Sequence, residues 1–329
     1  MEISHEGNLF SSAILIEAIP AQFYERYLSV APLSFGGSAP WVIDTLMTGG
    51  TVIFFPTIFQ PRDLIEAFDK HRITGCTMVP TVLRDLLGYL RESGKSMASA
   101  DSRLHLVTHA AFIQPSDLAS IRELVTPHVL QVYACHPVGC VTCLVLEDAP
   151  TKVDTVGRPL RGVQVEIVDE DGTPQPPLTG GQIRINSPRR AKMLEGRDST
   201  SGSDRFVGEW YYPGDLGLFD KDGYLRLLGR ETEMIIRGGV NVYPQEVEAA
   251  LADIHGVRQV AAVGYPDERN GEEIALFAAV DAGISVEDLQ KHCRDRLGPD
   301  KRPRRIVIVP EMPLNANGKV VRSKLAQML

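Results

Sequence analysis

The chain has 329 residues, more than the roughly 100 to 200 of one ordinary domain, so two domains are expected. Hydrophobic residues make up 43% and charged residues 23%, the balance of a globular protein with a sizeable core, and the net charge of -8 offers no basic field to a nucleic acid. No apolar run approaches the roughly 20 residues that span a bilayer, and Met1-Glu2-Ile3-Ser4-His5-Glu6 lacks the basic start and apolar stretch of a signal peptide, so a cytoplasmic chain without a membrane span is expected.

The first half alternates short apolar strands with helical stretches. Gly50-Thr51-Val52-Ile53-Phe54-Phe55 reads as a strand, and Pro61-Arg62-Asp63-Leu64-Ile65-Glu66-Ala67-Phe68 as a helix with apolar positions at helical spacing. Gly75-Cys76-Thr77-Met78-Val79 is the next strand. A further helix opens near Pro115-Ser116-Asp117, whose Ser and Asp are capping types, and leads to the strand Leu130-Gln131-Val132-Tyr133. Alternation of this kind implies a parallel sheet covered by helices. From about Thr155 the texture changes to alternating strands, Val163-Gln164-Val165-Glu166-Ile167-Val168 and Gly181-Gln182-Ile183-Arg184-Ile185, with Asp171-Gly172 as a turn between them. A small β part therefore follows the α/β part, and the Gly-, Ser- and Asp-rich run from Glu195 to Asp204 reads as a mobile surface loop.

After Gly229-Arg230 comes a module of about a hundred residues, the size of one domain. It reads as a helix from Pro244, strands at Val260-Ala261-Ala262-Val263 and Ile274 to Val280, a helix capped by Ser285 with Asp288 three residues on, and a strand from Arg305 to Val309. The fold class expected is an α/β parallel-sheet part plus a small β part, then a separate small α+β domain. The boundaries are 1–231 for the large domain, divided into 1–154 and 155–231, and 232–329 for the small one.

Chemistry is concentrated in four blocks. Tyr212-Pro213-Gly214-Asp215 sets a carboxylate on a glycine-supported turn before a strand pair. Such a carboxylate either caps its own turn or accepts both hydroxyl protons of a ribose, as acidic residues do in other nucleotide sites. The other blocks are Gly229-Arg230-Glu231-Thr232-Glu233-Met234-Ile235, then Gly238-Gly239-Val240-Asn241-Val242-Tyr243-Pro244-Gln245-Glu246-Val247-Glu248, and finally Pro313-Leu314-Asn315-Ala316-Asn317-Gly318-Lys319-Val320-Val321-Arg322.

In these blocks, in their order and spacing, the chain resembles the adenylate-forming (AMP-binding) family of acyl-CoA synthetases, luciferases and peptide-synthetase adenylation domains, over nearly its whole length. The resemblance implies an acid–thiol ligase that joins a carboxylic acid to ATP as an acyl-adenylate, then passes the acyl group to the thiol of CoA or of an acyl carrier protein. It also implies roles: Asp215 on the ribose hydroxyls of ATP or AMP, Arg230 on the ribose and phosphate side, Thr232 at the domain hinge, Gly238 and Gly239 lining a tunnel for the pantetheine arm, and Lys319 as the lysine that bridges the acid and the α-phosphate. Tyr133 would stack on adenine, and Phe35, in Ala31-Pro32-Leu33-Ser34-Phe35-Gly36-Gly37, would wall the acid pocket.

The departures fall on the phosphate side. Where the family reads Gln-Gly-Tyr-Gly-Met-Thr-Glu, this chain reads Gln131-Val132-Tyr133-Ala134-Cys135-His136-Pro137, so the phosphate-binding Thr is His136 and the Mg²⁺-holding Glu is Pro137. Bulk replaces glycine in Thr108-His109-Ala110-Ala111-Phe112, on the adenine side. The opening Glu2-Ile3-Ser4-His5-Glu6-Gly7-Asn8-Leu9 resembles what directly follows the family's phosphate loop, so a chain lacking that loop is expected, by natural truncation or a misplaced start. Three readings follow: a short form of an active ligase, a non-adenylating relative acting as a binding module, or a half-enzyme needing a second chain.

Five cysteines suggest free thiols rather than a disulfide framework. Cys135-x4-Cys140-x2-Cys143 copies an iron–sulfur spacing, with Cys76 or Cys293 as a fourth ligand, but it overlaps the Tyr133 motif, and no metal site is expected. The basic run Lys301-Arg302-Pro303-Arg304-Arg305 is a solvated loop before a strand, or a contact for the 3′-phosphate of CoA or an acidic carrier protein.

Overall fold

The computed structural model describes residues 2–34, 37–56, 58–98, 102–108, 113, 115–192, 205–251, 254, 256–315 and 320–329. The chain forms two compact units. The first comprises Met1–Ile113, Asp117–Pro213 and Leu218–Arg226, and the second Gln114–Ser116, Gly214–Gly217 and Leu227–Leu329.

The first unit is built on a seven-stranded sheet of β1 (Arg26–Ser29), β2 (Thr51–Phe54), β3 (Gly75–Met78), β4 (His105–Thr108), β5 (His128–Cys135), β6 (Gly139–Val145) and β7 (Arg158–Pro159). Its spatial order is β2-β1-β3-β4-β5-β6-β7. The strands β1 to β5 are parallel, whereas β6 runs antiparallel to β5 and β7 to β6. Five helices accompany it: α1 (His5–Ala18), α2 (Ala39–Met47), α3 (Pro61–His71), α4 (Pro80–Ser93) and α5 (Pro115–Leu124). All four residues of β3 and of β4 are buried, as strands covered on both faces must be.

On one face, Leu83, Leu86, Leu87 and Leu90 of α4 recur at helical spacing and pack with Leu64 and Phe68 of α3 against Leu28, Cys76, Met78 and Leu106 of the sheet. The helix α4 starts with Pro80 at its first turn and stops at Gly94, whose φ of +65° is a left-handed conformation that glycine adopts without cost. Elsewhere Phe23 meets Tyr24 and Trp41 edge to face at 5.0 and 5.4 Å.

The β part follows with β8 (Gln164–Val168), β9 (Gly181–Asn186), β10 (Phe206–Val207) and β11 (Trp210–Tyr211), where β9 pairs antiparallel with β8 and with β11. The Asp171-Gly172 turn is present. Gly172 has a φ of +78°, and the turn returns the chain only as far as a single Val168 to Pro174 bridge before β9 begins. The loop expected from Glu195 to Asp204 lies outside the described residues. The next strands, β12 (Asp215–Phe219) and β13 (Leu225–Arg230), carry the chain between the two units.

The second unit continues with β14 (Ile235–Arg237), β15 (Val240–Val242), α6 (Pro244–Ala249), β16 (Val257–Asp267), β17 (Gly271–Val280), α7 (Val286–Arg296), β18 (Arg305–Val309) and α8 (Arg322–Ala326). The long β16–β17 hairpin is flanked by β14, and β18 lies parallel to β17. Val247 of α6, Leu251 just after it, and Leu289 and Cys293 of α7 bury one face of the sheet; Leu325 of α8 and Met312 help bury the other. The Ser285 hydroxyl accepts from the Asp288 N–H at 3.2 Å, and the Asp288 carboxylate accepts from the Ser285 N–H at 3.0 Å, the reciprocal cap expected from their spacing. The expected fold class is thus the one observed: a helix-covered parallel sheet, a β part, and a small α+β unit.

Candidate active site

In the chain, every motif of the first unit follows or ends a parallel strand at its C-terminal end. Residues 31–37 follow β1, residues 108–112 run on from β4, and residues 131–137 end β5. Ligands of parallel α/β sheets bind outside the C-terminal strand ends, because there the loops diverge and leave a crevice. Tyr133, near the end of β5, is 8% exposed, and its hydroxyl accepts from the Cys135 thiol at 3.4 Å. Phe35 and residues 109–112 lie outside the described residues.

The structure turns the chain back into β6, with Ala134 opposite Cys140 and Cys135 opposite Gly139. Sequence reasoning missed Arg189, which is 9% exposed and donates to the His136 carbonyl at 2.6 Å. Its side chain explains Gly139, which has a φ of +79°, since a Cβ there would lie 2.5 Å from Arg189 Cδ. Buried in that position, the guanidinium is held below its usual pKa by desolvation. No local signal in Ser187-Pro188-Arg189-Arg190 separates this buried arginine from a solvated one.

Pro137 is buried, with its carbonyl held by the Ala191 N–H at 2.7 Å. A pyrrolidine ring fixed there offers a cation no ligand, so the position that carries a carboxylate in the family motif does not fit Mg²⁺. Among the described residues, no three of His, Cys, Asp or Glu gather closely enough to hold a metal. Burial pushes the Cys140 and Cys143 thiols up to about 12, which makes them poor thiolate donors near neutral pH.

In the second unit Asp215 and Arg230 meet. Asp215 opens β12 directly after Gly214, which has a φ of +77°, and is 8% exposed. Arg230 Nε lies 2.8 Å from Asp215 Oδ1, and the Gly214 carbonyl accepts from the Glu231 N–H at 2.9 Å, so two separate blocks are drawn together. A shielded carboxylate accepts hydrogen bonds but donates none, which suits it to hydroxyl pairs, while the half-exposed guanidinium beside it suits an anion.

A model of the AMP-binding enzyme family matches residues 1–194, and a model of the AMP-binding enzyme C-terminal domain matches residues 246–319. The chain belongs to the AMP-binding enzyme family. The 2-succinylbenzoate–CoA ligase of Enterococcus faecalis is 29% identical over 299 residues, which are 91% of this chain and 60% of that enzyme. Among solved structures, the amide bond synthetase McbA from Marinactinospora thermotolerans superposes with a TM-score of 0.88 at 30% identity, over 99% of this chain and 65% of that one. The O-succinylbenzoate coenzyme A synthetase MenE from Bacillus subtilis, in complex with ATP and magnesium ion, gives 0.85 at 25% identity, over 98% and 66%. The chain therefore spans 60% to 66% of the length of these relatives.

Thr232, Gly238 and Gly239 all belong to the second unit of this AMP-binding family member. Thr232 is exposed at the centre of a 3-10 turn, Glu231–Glu233, between β13 and β14. Gly238 and Gly239 form the two-residue loop of the β14–β15 hairpin, with φ of +57° and +84°, the pairing that a type I′ turn requires at both positions. A Cβ on Gly239 would meet nothing within 4 Å, so the turn presents bare backbone. Lys319 lies outside the described residues, although the segment that bears it is bracketed by a Leu314 to Val320 bridge. The basic run is tied inward in part: Arg302 donates to the Leu297 and Arg294 carbonyls, and Arg304 to Asp267 at 3.0 Å. No described helix is long and apolar enough to cross a membrane.

Proposed function

We propose that this chain is the ribose-binding and acyl-transfer part of an AMP-forming acid–thiol ligase. The observation that carries the reading is the Asp215–Arg230 pair, supported by the clustering of the other motifs at the C-terminal ends of β1, β4 and β5. In the first half-reaction a carboxylate oxygen attacks the α-phosphorus of ATP, and pyrophosphate leaves. Asp215 accepts the ribose hydroxyl protons, Arg230 faces the phosphate side, Tyr133 stacks on adenine, Phe35 walls the acid pocket, and Lys319 stabilises charge developing on the α-phosphate. In the second half the small domain turns about Thr232. A thiol sulfur then attacks the acyl carbon, its proton passes to solvent, and AMP leaves as the C–O bond breaks.

The thiol belongs to CoA or to an acyl carrier protein, and its arm passes the bare Gly238-Gly239 backbone. Cytoplasmic residence is part of the proposal, supported by five cysteines that are all free thiols. With Pro137 in place of a carboxylate, Mg²⁺ dependence should be weaker than in the family pattern. A second reading, with an amine in place of the thiol, draws support from the 30% identity to an amide bond synthetase.

Titration calorimetry with AMP and a stable acyl-sulfamoyl adenosine tests the site. The protein should bind both, and Asp215→Ala should weaken binding by about 1.5 to 3 kcal/mol, the worth of hydrogen bonds to a charged acceptor. No binding by the unsubstituted protein overturns the reading. Offering CoA and a simple amine to a synthetic acyl-adenylate then separates the thiol from the amine acceptor.

A further inference from the structure

We propose that Arg237 is a positioning residue for acceptor transfer, holding the Gly238-Gly239 turn in register with residues 299–302. The inference rests on the reading of that turn as the path of the thiol arm. Two left-handed glycines have no side chains with which to anchor themselves, and outside its own hairpin the turn's backbone is tied by the Gly238 N–H, which donates to the Asn270 carbonyl at 2.8 Å. Placement therefore depends on the flanking residue that can reach furthest.

Arg237 is that residue. Its Nε lies 3.0 Å from Glu273 Oε2, and its Nη2 donates to Glu273 Oε1 at 3.1 Å, a two-pronged pairing. Its Nη1 faces three carbonyls, of Pro299 at 3.1 Å, Asp300 at 3.0 Å and Arg302 at 3.3 Å. Glu273 is 1% exposed and also accepts from Asn270 Nδ2 at 2.7 Å, and Asn270 is the residue that takes the Gly238 N–H. Three segments, at 237–239, 270–273 and 299–302, thus converge on one guanidinium–carboxylate pair.

The pair belongs to neither apolar core of the second unit. Buried ion pairs add little net stability over apolar substitutes, so what this one supplies is geometry. Its position shows what the geometry serves. Beside it lies a cavity of about 370 Å³ whose walls include Val240, which follows the glycines, and Leu297, Gly298, Asp300 and Lys301. Arg237 joins the two walls. Lysine has no fork with which to meet a carboxylate and three carbonyls in one plane, so it should not replace arginine here.

The test compares the parent with the Arg237→Met/Glu273→Gln double variant, which leaves no buried orphan charge, and with Arg237→Lys. Amide hydrogen exchange should speed up at 238–240 and 299–302 and stay unchanged in β16 and α7. In thioester formation from a synthetic acyl-adenylate and CoA, KM for CoA should rise about tenfold or more, the scale of a small misplacement at a reacting centre, while AMP affinity holds and Arg237→Lys fails to rescue. Unchanged exchange at both segments overturns the staple. Faster exchange with an unchanged KM, or with AMP affinity falling in step, overturns its role in acceptor transfer. If the parent makes no thioester, the thiol reading fails, and the exchange data alone then show whether Arg237 still joins the segments.

Discussion

In the second unit Glu248 and Glu273 are 7% and 1% exposed, and each is met by an arginine; in the first unit Asp44 is fully buried and neither of its oxygens has a partner among the described residues. Glu248 accepts from Arg322 at 2.5 Å and from the Ala262 N–H at 2.9 Å, contacts that oppose the desolvation by which burial raises its carboxyl above the ordinary value. Burial pushes the Asp44 carboxyl up to about 6, eased only by the nearby Ser12 hydroxyl. A charge stripped of water must be paired or protonated, and the two units take the two routes. One paired carboxylate ties α6 to β16 and α8; the other, through Arg237, ties the glycine turn to residues 270–273 and 299–302. The unpaired one lies on the buried face of α2 and links nothing, so it weighs on stability and follows pH.

Cutting the Arg322–Glu248 pair should have the largest effect. Arg322→Ala leaves Glu248 buried without its cation, which should cost the second unit about 3 to 5 kcal/mol in denaturant unfolding. A loss below about 1 kcal/mol would show that the pair behaves as a surface contact. Next comes Gly239→Phe, which forces a side chain into a φ of +84° and into the space beside the turn. Thioester formation from a preformed acyl-adenylate should fall about 100-fold or more, with AMP binding retained. Transfer that survives with phenylalanine at this position would remove the glycine turn from the acceptor path.

Asp44→Asn should act in the opposite sense, and only at higher pH. Folded Asp44 keeps its proton up to about pH 6, whereas unfolded it loses the proton near its ordinary value of 3.8. Stability from this group is therefore full below about pH 4 and declines as pH rises to 6 and beyond, by up to about 3 kcal/mol. Asparagine does not titrate but still buries an unpaired amide, so the variant should gain about 1 to 2 kcal/mol on the parent near pH 7 and lose that advantage toward pH 4. Parallel stability curves for parent and variant would remove the unpaired carboxylate from the comparison. The smallest effect is expected of Lys319→Ala in transfer from a preformed adenylate, where the rate should stay within about twofold because the function proposed above uses the lysine only in the phosphoryl step. A transfer rate lost with Lys319 but kept in the Gly239 variant would reverse the assignment of the two half-reactions.

Elements set by near neighbours were legible in advance. The Ser285 and Asp288 cap, the helical spacing of apolar residues from Pro61 to Phe68 and the Asp171-Gly172 turn each involve residues within one or two turns of chain. The Asp215–Arg230 contact was foreshadowed only as two roles in two separate blocks, and the structure shows the two side chains touching. Residues such as Arg189, Arg237 and Asp44 gave no local sign of burial. Arginine and aspartate are usually solvated, and only packing from distant segments removes the water.

By itself the sequence determined the alternation of strand and helix, the passage to a β part and then to a small α+β module, and the family. These follow from periodicity, capping and short blocks whose chemistry needs only adjacent residues. Tertiary structure alone decided that the chain reverses into β6 after Tyr133, because that choice depends on pairing across Ala134 and Cys140. It also decided which charges are buried and by what they are answered. Arg237 reaches partners 36 and 62 residues away, and Arg322 reaches Glu248 across 74, distances over which no local pattern in the chain constrains one residue by another.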